Sequence, residues 1–600
     1  MSRLTGKTLM VVTLLSFIAC SDEQPQSDNQ ANADTQVVSP SGPIIGFTGQ
    51  YGDNAYLGIP FAEPPVGPLR WSAPVTAAPW SEPLNATQFG NACPQIGSQL
   101  GGATNPDDFG KPIGHEDCLF LDVYTPGQTE ELLPVMVWIH GGGNTIGQTG
   151  FYNGGNLATT HNVIVVNVQY RLGPFGWFLH PALADSKNPE NGSGNYGTLD
   201  LIQSLKWVKN NIAAFGGDPD NVTIFGESAG GTNVYSLMLS PLARGLFHKA
   251  ISQSGSLFTT SAALAQNFVD DNNPGHRSSS SEIITRLLIA DGEADDRAAA
   301  RKKLKAMSNP EITEYLRNKP TWELFNTYIA DGGLLGPDNP RVIADGYVLP
   351  KGDPLKRLRD VNQYNAVPAI LGTNREEMKI FMTFNPDRVT SLFGLPLWVK
   401  DSDDYQTRSL FAAKAWKRRG VDDPAMAMAG RSPVYAYRWD WNQEGTAMGF
   451  IDLTEILGAS HGLEIPFVFG HWNLGELSDI LFTEDNLPGR DELSNAMMSY
   501  WAQFAYTGNP GRGRNGKLAQ WKLWDSAPSG ERTLLLNTKD HKGIRMSDIL
   551  VNRSHIFAEL ETTEVADDFA CEIFVEMFKN EKDKMWLEKT RSGFRDGVCA

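Results

Sequence analysis

Cysteine is scarce in this chain, and so are basic residues and long apolar runs. Five of the 600 residues are cysteine, and 51 basic residues stand against 69 acidic ones, which gives a formal net charge of -18. Because binding to nucleic-acid phosphates needs clustered Lys and Arg, this balance argues against a nucleic-acid partner. The composition, 41% hydrophobic and 20% charged, is that of a folded protein with a large core.

The N-terminus has the pattern of an export signal. Two basic residues precede an apolar run at 9–19, and Cys20 follows it. The run of eleven residues is too short to cross a bilayer as a helix. Segment 1–19 resembles a bacterial lipoprotein signal, which implies a lipidated Cys20; an ordinary cleaved signal and an uncleaved anchor are the alternatives. We expect an exported protein, either a lipoprotein of the periplasm or outer membrane or a secreted one, with membrane contact only through that lipid.

The residues after Cys20 have almost no large apolar side chains. They cannot bury enough surface to fold, so we predict a disordered linker over 20–42. The rest of the chain, 43–600, is predicted to form a single domain, because α/β folds grow by insertions around one sheet. Residues 541–600 are expected to be a helical C-terminal extension.

Four cysteines remain if Cys20 is lipidated. We expect Cys93 to pair with Cys118 and Cys571 with Cys599, because the members of each pair are close in sequence and an exported protein meets oxidising conditions. Four buried thiols are the alternative.

The pattern of apolar residues predicts an α/β fold. Segments 135–140 and 163–170 are short, β-branched runs typical of strands buried on both faces of a parallel sheet. A helical stripe over 199–212 precedes another strand at 222–225, and strand, helix, strand in that order indicates a βαβ unit. Charged helix formers over 260–360 predict helical insertions at the edge of the sheet.

The strand at 222–225 leads into a G-x-S-x-G motif centred on Ser228, and a segment that can be helical follows at 229–239. A strand, a sharp turn and a helix around such a serine form a nucleophile elbow. The flanking glycines are needed because a Cβ at these positions would collide with neighbouring backbone. Ser228 is therefore the candidate nucleophile.

A second motif, His140-Gly-Gly-Gly143, follows the strand at 135–140. Glycines let backbone N–H groups turn inward around an oxyanion. We assign the N–H groups of Gly142, Gly143 and Ala229 to the oxyanion hole. A flexible glycine loop without this role is the alternative.

The chain resembles the type-B carboxylesterase and cholinesterase family over roughly residues 43 to 540. The resemblance rests on these stretches: YLGIPFAEPPVGPLRW at 56–71, EDCLFLDVYTP at 116–126, WIHGGG at 138–143, FGGDPDNVTIFGESAGG at 215–231 and FHKAISQSG at 247–255. It implies an α/β-hydrolase fold, in which a large, mostly parallel central sheet is flanked by helices.

The resemblance also supplies partners for Ser228. LGTNREEMKIF at 371–381 resembles the stretch that holds the family's acid and implies Glu377, although Glu376 is adjacent and Met378 stands where the family usually has Gly. SHGLEIPFVFG at 460–470 resembles the stretch that holds its histidine and implies His461. The chain order Ser, acid, His is the order of this fold.

Further positions match the family more loosely. Glu227 and Glu464 resemble carboxylates that support the catalytic groups, or are simply satisfied buried charges. The first disulfide of the family matches Cys93–Cys118, and an ion pair at its base would join Arg70 to Glu116. No Trp lies between these cysteines, which argues against acetylcholine as the substrate, since a quaternary ammonium is held on an aromatic face.

These expectations define a serine carboxylester hydrolase that acts on a small-molecule ester without metal or cofactor. His461 would take the Ser228 proton while Glu377 orients the imidazole, and an acyl-enzyme would follow. Since the imidazole must be neutral, activity should fall below about pH 6–7. A binding protein with an inactive site, an amidase or peptidase, and a lipase for long acyl chains are the alternatives.

Overall fold

The computed structural model describes residues 29–98, 103, 105–127, 129–329, 335–392, 395–474, 478–579, 581 and 583–599. The predicted signal 1–19, Cys20 and the first part of the predicted linker, up to residue 28, lie outside the described residues.

An eleven-stranded sheet runs through the described part of the chain. In chain order its strands are Phe47–Thr48 (β1), Asn54–Pro60 (β2), Phe120–Thr125 (β3), Leu133–Ile139 (β4), Ile164–Val168 (β5), Gly217–Glu227 (β6), Lys249–Gln253 (β7), Ala369–Asn374 (β8), Val434–Trp439 (β9), Thr533–Leu536 (β10) and Arg545–Ser547 (β11). Across the sheet they follow the order β11-β10-β9-β8-β7-β6-β4-β5-β3-β2-β1. The pairs from β10 to β5 are parallel, whereas β11 at one edge and β3, β2 and β1 at the other are antiparallel. The predicted large, mostly parallel sheet is confirmed.

The central strands are apolar because both faces of the sheet are covered. Every residue of β4 is buried, and its side chains alternate between two cores. Val135, Val137 and Ile139 belong to one core, whereas Met136 and Trp138 belong to the core on the opposite face. This alternation follows from the two-residue period of a strand.

Helices supply the other wall of each core. The longer ones are Gly155–His161, Tyr196–Asn211, Ala229–Leu239, Ser280–Ala290, Arg297–Ala306, Asn309–Arg317, Thr321–Ile329, Ser402–Lys417, Leu487–Thr507, Arg553–Thr562, Asp567–Phe578 and Lys584–Gly593. The shorter ones are Gly173–Gly176, Ala262–Gln266, Pro354–Arg357, Lys379–Thr383, Asp423–Met428, Leu453–Ile456, Ile465–Phe469 and Ser478–Leu481, with a π-helical turn at Arg418–Asp422. The helices between 262 and 357 confirm the predicted insertions.

Small sheets lie outside the central one. Val37–Ser39, Gly42–Ile45 and Leu84–Asn85 form a three-stranded sheet. Two-stranded sheets pair Gln95–Ile96 with Pro112–Ile113, Thr260–Ser261 with Ile343–Ala344, Val389–Leu392 with Leu395–Val399, and Thr446–Ala447 with Ile451–Asp452.

The predicted linker boundary at residue 42 is placed too late. Val37–Ser39 pairs with Gly42–Ile45, and Thr35 is buried, with its carbonyl accepting a 2.6 Å hydrogen bond from the Tyr56 hydroxyl. Backbone hydrogen bonds hold this segment in place. Amino-acid composition does not reveal such bonds, so the prediction from composition ended the linker too late.

The C-terminal extension begins with β11 and continues as helices. Its apolar residues form a separate small core, which Phe411 and Ala415 of helix Ser402–Lys417 join. A disulfide joins Cys571 to Cys599, which are 28 residues apart in sequence. The extension is therefore packed against the helix 402–417 rather than free.

Candidate active site

Ser228 stands at a sharp turn between β6 and helix Ala229–Leu239. Its φ of 58° and ψ of -119° lie where L-residues are strained, and its N–H donates a 2.9 Å hydrogen bond to the Gln253 carbonyl. A Cβ on Gly230 would lie 1.9 Å from the carbonyl oxygen of Ile139, and one on Gly226 would lie 2.5 Å from it. The two glycines therefore allow the turn to pack against β4.

The glycine loop after β4 lies directly beside Ser228. A Cβ added to Gly141 would lie 3.1 Å from the Ser228 Cβ. Gly142 and Gly143 have φ values of 88° and 64°, in the left-handed region that favours glycine. The Gly142 carbonyl accepts hydrogen bonds from the N–H groups of Thr145 and Ile146, which turns the loop back on itself.

The amides of this turn are available to a ligand. Among the described residues, the N–H groups of Gly142, Gly143 and Ala229 have no hydrogen-bond acceptor. Ala229 is the first residue of its helix, where backbone N–H groups lack a partner within the helix. Such an arrangement can stabilise an oxygen that gains negative charge beside Ser228.

Glu377 and His461 are in contact although 84 residues separate them. Oε2 of Glu377 lies 2.6 Å from Nδ1 of His461, and Oε1 accepts hydrogen bonds from the Asn374 N–H at 2.7 Å and the Thr373 hydroxyl at 2.6 Å. Glu377 is fully buried in the turn that follows β8. Its carboxylate is therefore fixed where it can orient the imidazole.

The neighbouring Glu376 contacts different groups. Its carboxylate accepts a 2.9 Å hydrogen bond from the Ala459 N–H and pairs with Lys379 at 2.8 Å and Arg375 at 2.9 Å. Its own N–H donates to the Ala459 carbonyl. Glu376 thus ties the turn after β8 to the segment leading into His461.

The other imidazole nitrogen faces Glu227. Nε2 of His461 lies 3.2 Å from Oε1 of Glu227, the residue before Ser228. Within the described part of the chain, Nε2 of His461 has no hydrogen-bond partner, so the predicted hydrogen bond between Ser228 and His461 is not formed in this conformation. Such hydrogen bonds are often long in free enzymes and tighten when substrate binds.

Three buried carboxylates determine the electrostatics of the imidazole. Burial alone would lower the pKa of His461, but Glu227, Glu377 and Glu464 outweigh it and raise the pKa to about 9. Burial raises the pKa of Glu227 well above its ordinary value, and the imidazole opposes this. The protonation of His461 therefore depends on the carboxylates that surround it.

Glu464 lies behind this group. Burial raises its pKa, and its carboxylate accepts a 2.6 Å hydrogen bond from the Asn374 side chain. The Gln253 side chain lies 3.4 Å from its other oxygen. Glu464 therefore links the turn after β8 to the end of β7.

Two aromatic residues at the imidazole were not found from the sequence. The rings of Phe381 and Trp416 lie 5.2 and 4.8 Å from that of His461 between centroids. Phe381 is in the stretch 371–381 already singled out, but no motif marks Trp416, which arrives from helix Ser402–Lys417.

The pair Cys93 and Cys118 is joined by a disulfide, and Arg70 forms a two-pronged ion pair with Glu116 at 2.5 and 2.7 Å. Within the described residues, no group of three or more His, Cys, Asp or Glu side chains is arranged to hold a metal ion. In the same part of the chain, no helix has the length and apolarity to cross a membrane.

A parallel sheet, a strained serine between its strand and helix, and a glycine loop beside that serine define an α/β-hydrolase. Comparison with known proteins is more specific. The sequence pattern of the carboxylesterase family matches residues 33–414 and 411–554, and the chain belongs to this family. It is a carboxylic ester hydrolase.

Relatives and solved structures agree with this membership. Para-nitrobenzyl esterase of Bacillus subtilis is 34% identical over 498 residues, which cover 79% of this chain and 90% of the relative. Cocaine esterase of Homo sapiens is 35% identical over 532 residues, covering 82% and 85%. A solved PNB esterase shares 30% identity and a TM-score of 0.61, covering 86% of this chain and 97% of its own. A Geobacillus stearothermophilus carboxylesterase shares 26% identity and a TM-score of 0.63 over the same shares of the two chains.

Proposed function

We propose that this esterase works through an acyl-enzyme on Ser228, with His461 and Glu377 completing a triad. The observation that carries the proposal is the position of the strained serine against a glycine loop with unused amides. A serine held this way presents its hydroxyl to a carbonyl carbon, while the amides face the carbonyl oxygen.

In this mechanism Nε2 of His461 accepts the proton of the Ser228 hydroxyl as the oxygen attacks the ester carbonyl. The hydroxyl must turn toward Nε2, which Glu227 approaches in the free enzyme. Glu377 accepts the Nδ1–H bond, which fixes the tautomer and stabilises the imidazolium. The imidazolium then protonates the leaving alcohol, and water activated by the neutral imidazole releases the acid.

The N–H groups of Gly142, Gly143 and Ala229 are proposed to hold the oxyanion. Each correctly aimed donor contributes roughly 3 kcal/mol in the transition state of such reactions. The helix that starts at Ala229 adds the positive end of its dipole at the same place.

Replacing Ser228 by alanine tests this proposal. Ser228→Ala should lower kcat for a p-nitrobenzyl ester, chosen because a relative is named for such esters, by roughly a million-fold. Ser529→Ala, at an exposed serine, is the matched control and should keep full activity. An organophosphate should label the wild-type chain at Ser228 and leave the Ser228→Ala chain unlabelled.

Hydrolysis by purified Ser228→Ala at more than a hundredth of the wild-type rate would contradict the assignment. Matched ester and amide substrates test the class of reaction, because an amidase would also turn over the amide at a catalytic rate. The ester should react faster by orders of magnitude.

We also propose that one domain carries the activity and that the protein is exported. Strands of a single sheet run from residue 47 to residue 547, which supports one domain. Two disulfides join the cysteines of the described residues, and disulfides persist in oxidising compartments. Fractionation of the host cell with a thiol-accessibility assay tests the compartment.

A further inference from the structure

Trp416 lies at the C-terminal end of helix Ser402–Lys417, with its ring against the imidazole of His461. The ring centroids are 4.8 Å apart and the planes are tilted by 57°. The Trp416 side chain is half-buried, so it both contacts the imidazole and separates it from solvent on that side.

The same side chain also contacts the loop that holds Ser228. Nε1–H of Trp416 donates a 2.9 Å hydrogen bond to the carbonyl of Ser254. The residue before it, Gln253, accepts the N–H of Ser228 through its carbonyl at 2.9 Å. One indole thus bridges the imidazole and the backbone that fixes the nucleophile.

Phe381 completes an aromatic wall. Its ring stacks on that of Trp416 with centroids 6.3 Å apart and planes 14° apart, and it lies 5.2 Å from His461. Because Glu377 fixes Nδ1 from one end, the two rings restrict the remaining freedom of the imidazole, which is rotation away from Ser228.

The helix that carries Trp416 is braced by the C-terminal extension. Phe411 belongs to the core of the extension, and Arg408 pairs with Glu572 at 2.5 Å. In the π-helical turn after Trp416, Asp422 accepts a 2.6 Å hydrogen bond from the Val551 N–H. These contacts hold in place the end of the helix that carries the indole.

We propose that Trp416 is a positioning residue of the esterase, which holds the imidazole of His461 in place relative to the backbone at 253–254 that fixes Ser228. The proposal rests on the proposed role of His461 as the general base. Trp416 acts through two separable contacts, the aromatic face against His461 and the N–H bond to Ser254.

Variants separate these contacts. Trp416→Met removes the aromatic face and the N–H donor, whereas Trp416→Phe keeps an aromatic face. We expect Trp416→Met to lower kcat at least tenfold while KM changes less than threefold, and Trp416→Phe to recover kcat to within threefold. Trp398→Met is the matched control, since Trp398 is 52% exposed on the hairpin 389–399, and should leave kcat unchanged.

The pH profile distinguishes positioning from a general structural role. Loss of the ring admits water to the imidazole, so the acidic limb of kcat/KM should move by at least 0.5 pH unit in Trp416→Met. A change of thermal stability alone would leave that limb in place. If Trp416→Met has kcat within twofold of wild type and the acidic limb of its kcat/KM profile is unchanged, the proposal is wrong. If Trp416→Met does not fold, Phe381→Leu is measured instead, with the same expectations for kcat and for the acidic limb.

A second measurement does not depend on Ser228 as nucleophile. In the Ser228→Ala chain, the Nδ1 proton shared by His461 and Glu377 should give a downfield NMR resonance, and Trp416→Met should speed its exchange with water at least tenfold. Unchanged exchange refutes positioning by Trp416. Turnover by Ser228→Ala, in contrast, refutes the proposed function and leaves this measurement valid.

Discussion

The carboxyl group of Glu227 lies 3.2 Å from the imidazole nitrogen that is proposed to receive the Ser228 proton. Glu227→Gln replaces this ionisable group by a neutral amide of similar size. A neutral neighbour stabilises the imidazolium less, so the variant should hold His461 neutral at lower pH. The acidic limb of kcat/KM should therefore move to lower pH.

The structure sets the size of this change. The charge interaction with Glu227 is the largest single effect that raises the pKa of His461 from 6.5 to about 9 against burial, ahead of two effects of Glu377 and one of Glu464. As the largest of four, it accounts for at least a quarter of the rise, so its removal should lower the limb by at least about 0.6 pH unit, which corresponds to ~0.8 kcal/mol.

The assay is kcat/KM for an uncharged short-chain ester, measured between pH 5 and 10. Glu314→Gln, at an exposed position on helix Asn309–Arg317, is the matched control and should leave the limb in place. Glu464→Gln should give a smaller change than Glu227→Gln, because Glu464 is the weakest of the three contributors. A limb that stays within 0.3 pH unit of wild type in Glu227→Gln, or that moves upward, would refute this electrostatic reasoning.

Three further predictions concern stability. Glu376→Ala removes the carboxylate that pairs with the buried Lys379 and accepts the Ala459 N–H. The free energy of unfolding in urea should therefore fall by about 3 kcal/mol. A fall of less than about 1 kcal/mol would contradict the assigned contacts. Replacing Cys571 and Cys599 together by alanine should lower it by about 3.5 kcal/mol on the loop-entropy model, seen as loss of a protected helical unit in hydrogen exchange. Burial, aided by nearby carboxylate charge, raises the pKa of Glu444 to about 8. At pH values between the ordinary pKa of a glutamate and about 8, the native state therefore keeps a proton on Glu444 that the unfolded chain has lost. Stability should then fall as pH rises toward 8, and Glu444→Gln should gain about 3 kcal/mol relative to wild type between pH 5 and 8; equal slopes would count against it.

Much of the fold could be predicted because the residues that define each central strand are adjacent in sequence. A strand buried on both faces must be apolar throughout, as β4 and β5 are, and the elbow needs glycines at fixed spacing around Ser228. The linker boundary failed for the opposite reason, since segment 37–45 is held by backbone hydrogen bonds that any side chain permits. Glycine spacing also marked the loop at 141–143 in advance.

The family resemblance implied Glu377 as the acid, but the chemistry of the two adjacent glutamates does not by itself distinguish them. Glu376 and Glu377 have the same chemistry, and only the path of the turn after β8 directs one to Ala459 and the other to His461. Trp416 left no sequence signal at all, because it reaches the imidazole on a helix whose position depends on packing with a distant C-terminal extension.

By itself, then, the sequence determined the sheet, the turn at residue 228 and the glycine loop, since each depends on residues a few positions apart and on backbone angles that side chains permit or forbid. Tertiary structure decided how the carboxylates are arranged around the imidazole and which rings enclose it. These contacts join segments up to 234 residues apart in chain position, from 227 to 461, and their distances follow from how helices and turns pack against the sheet.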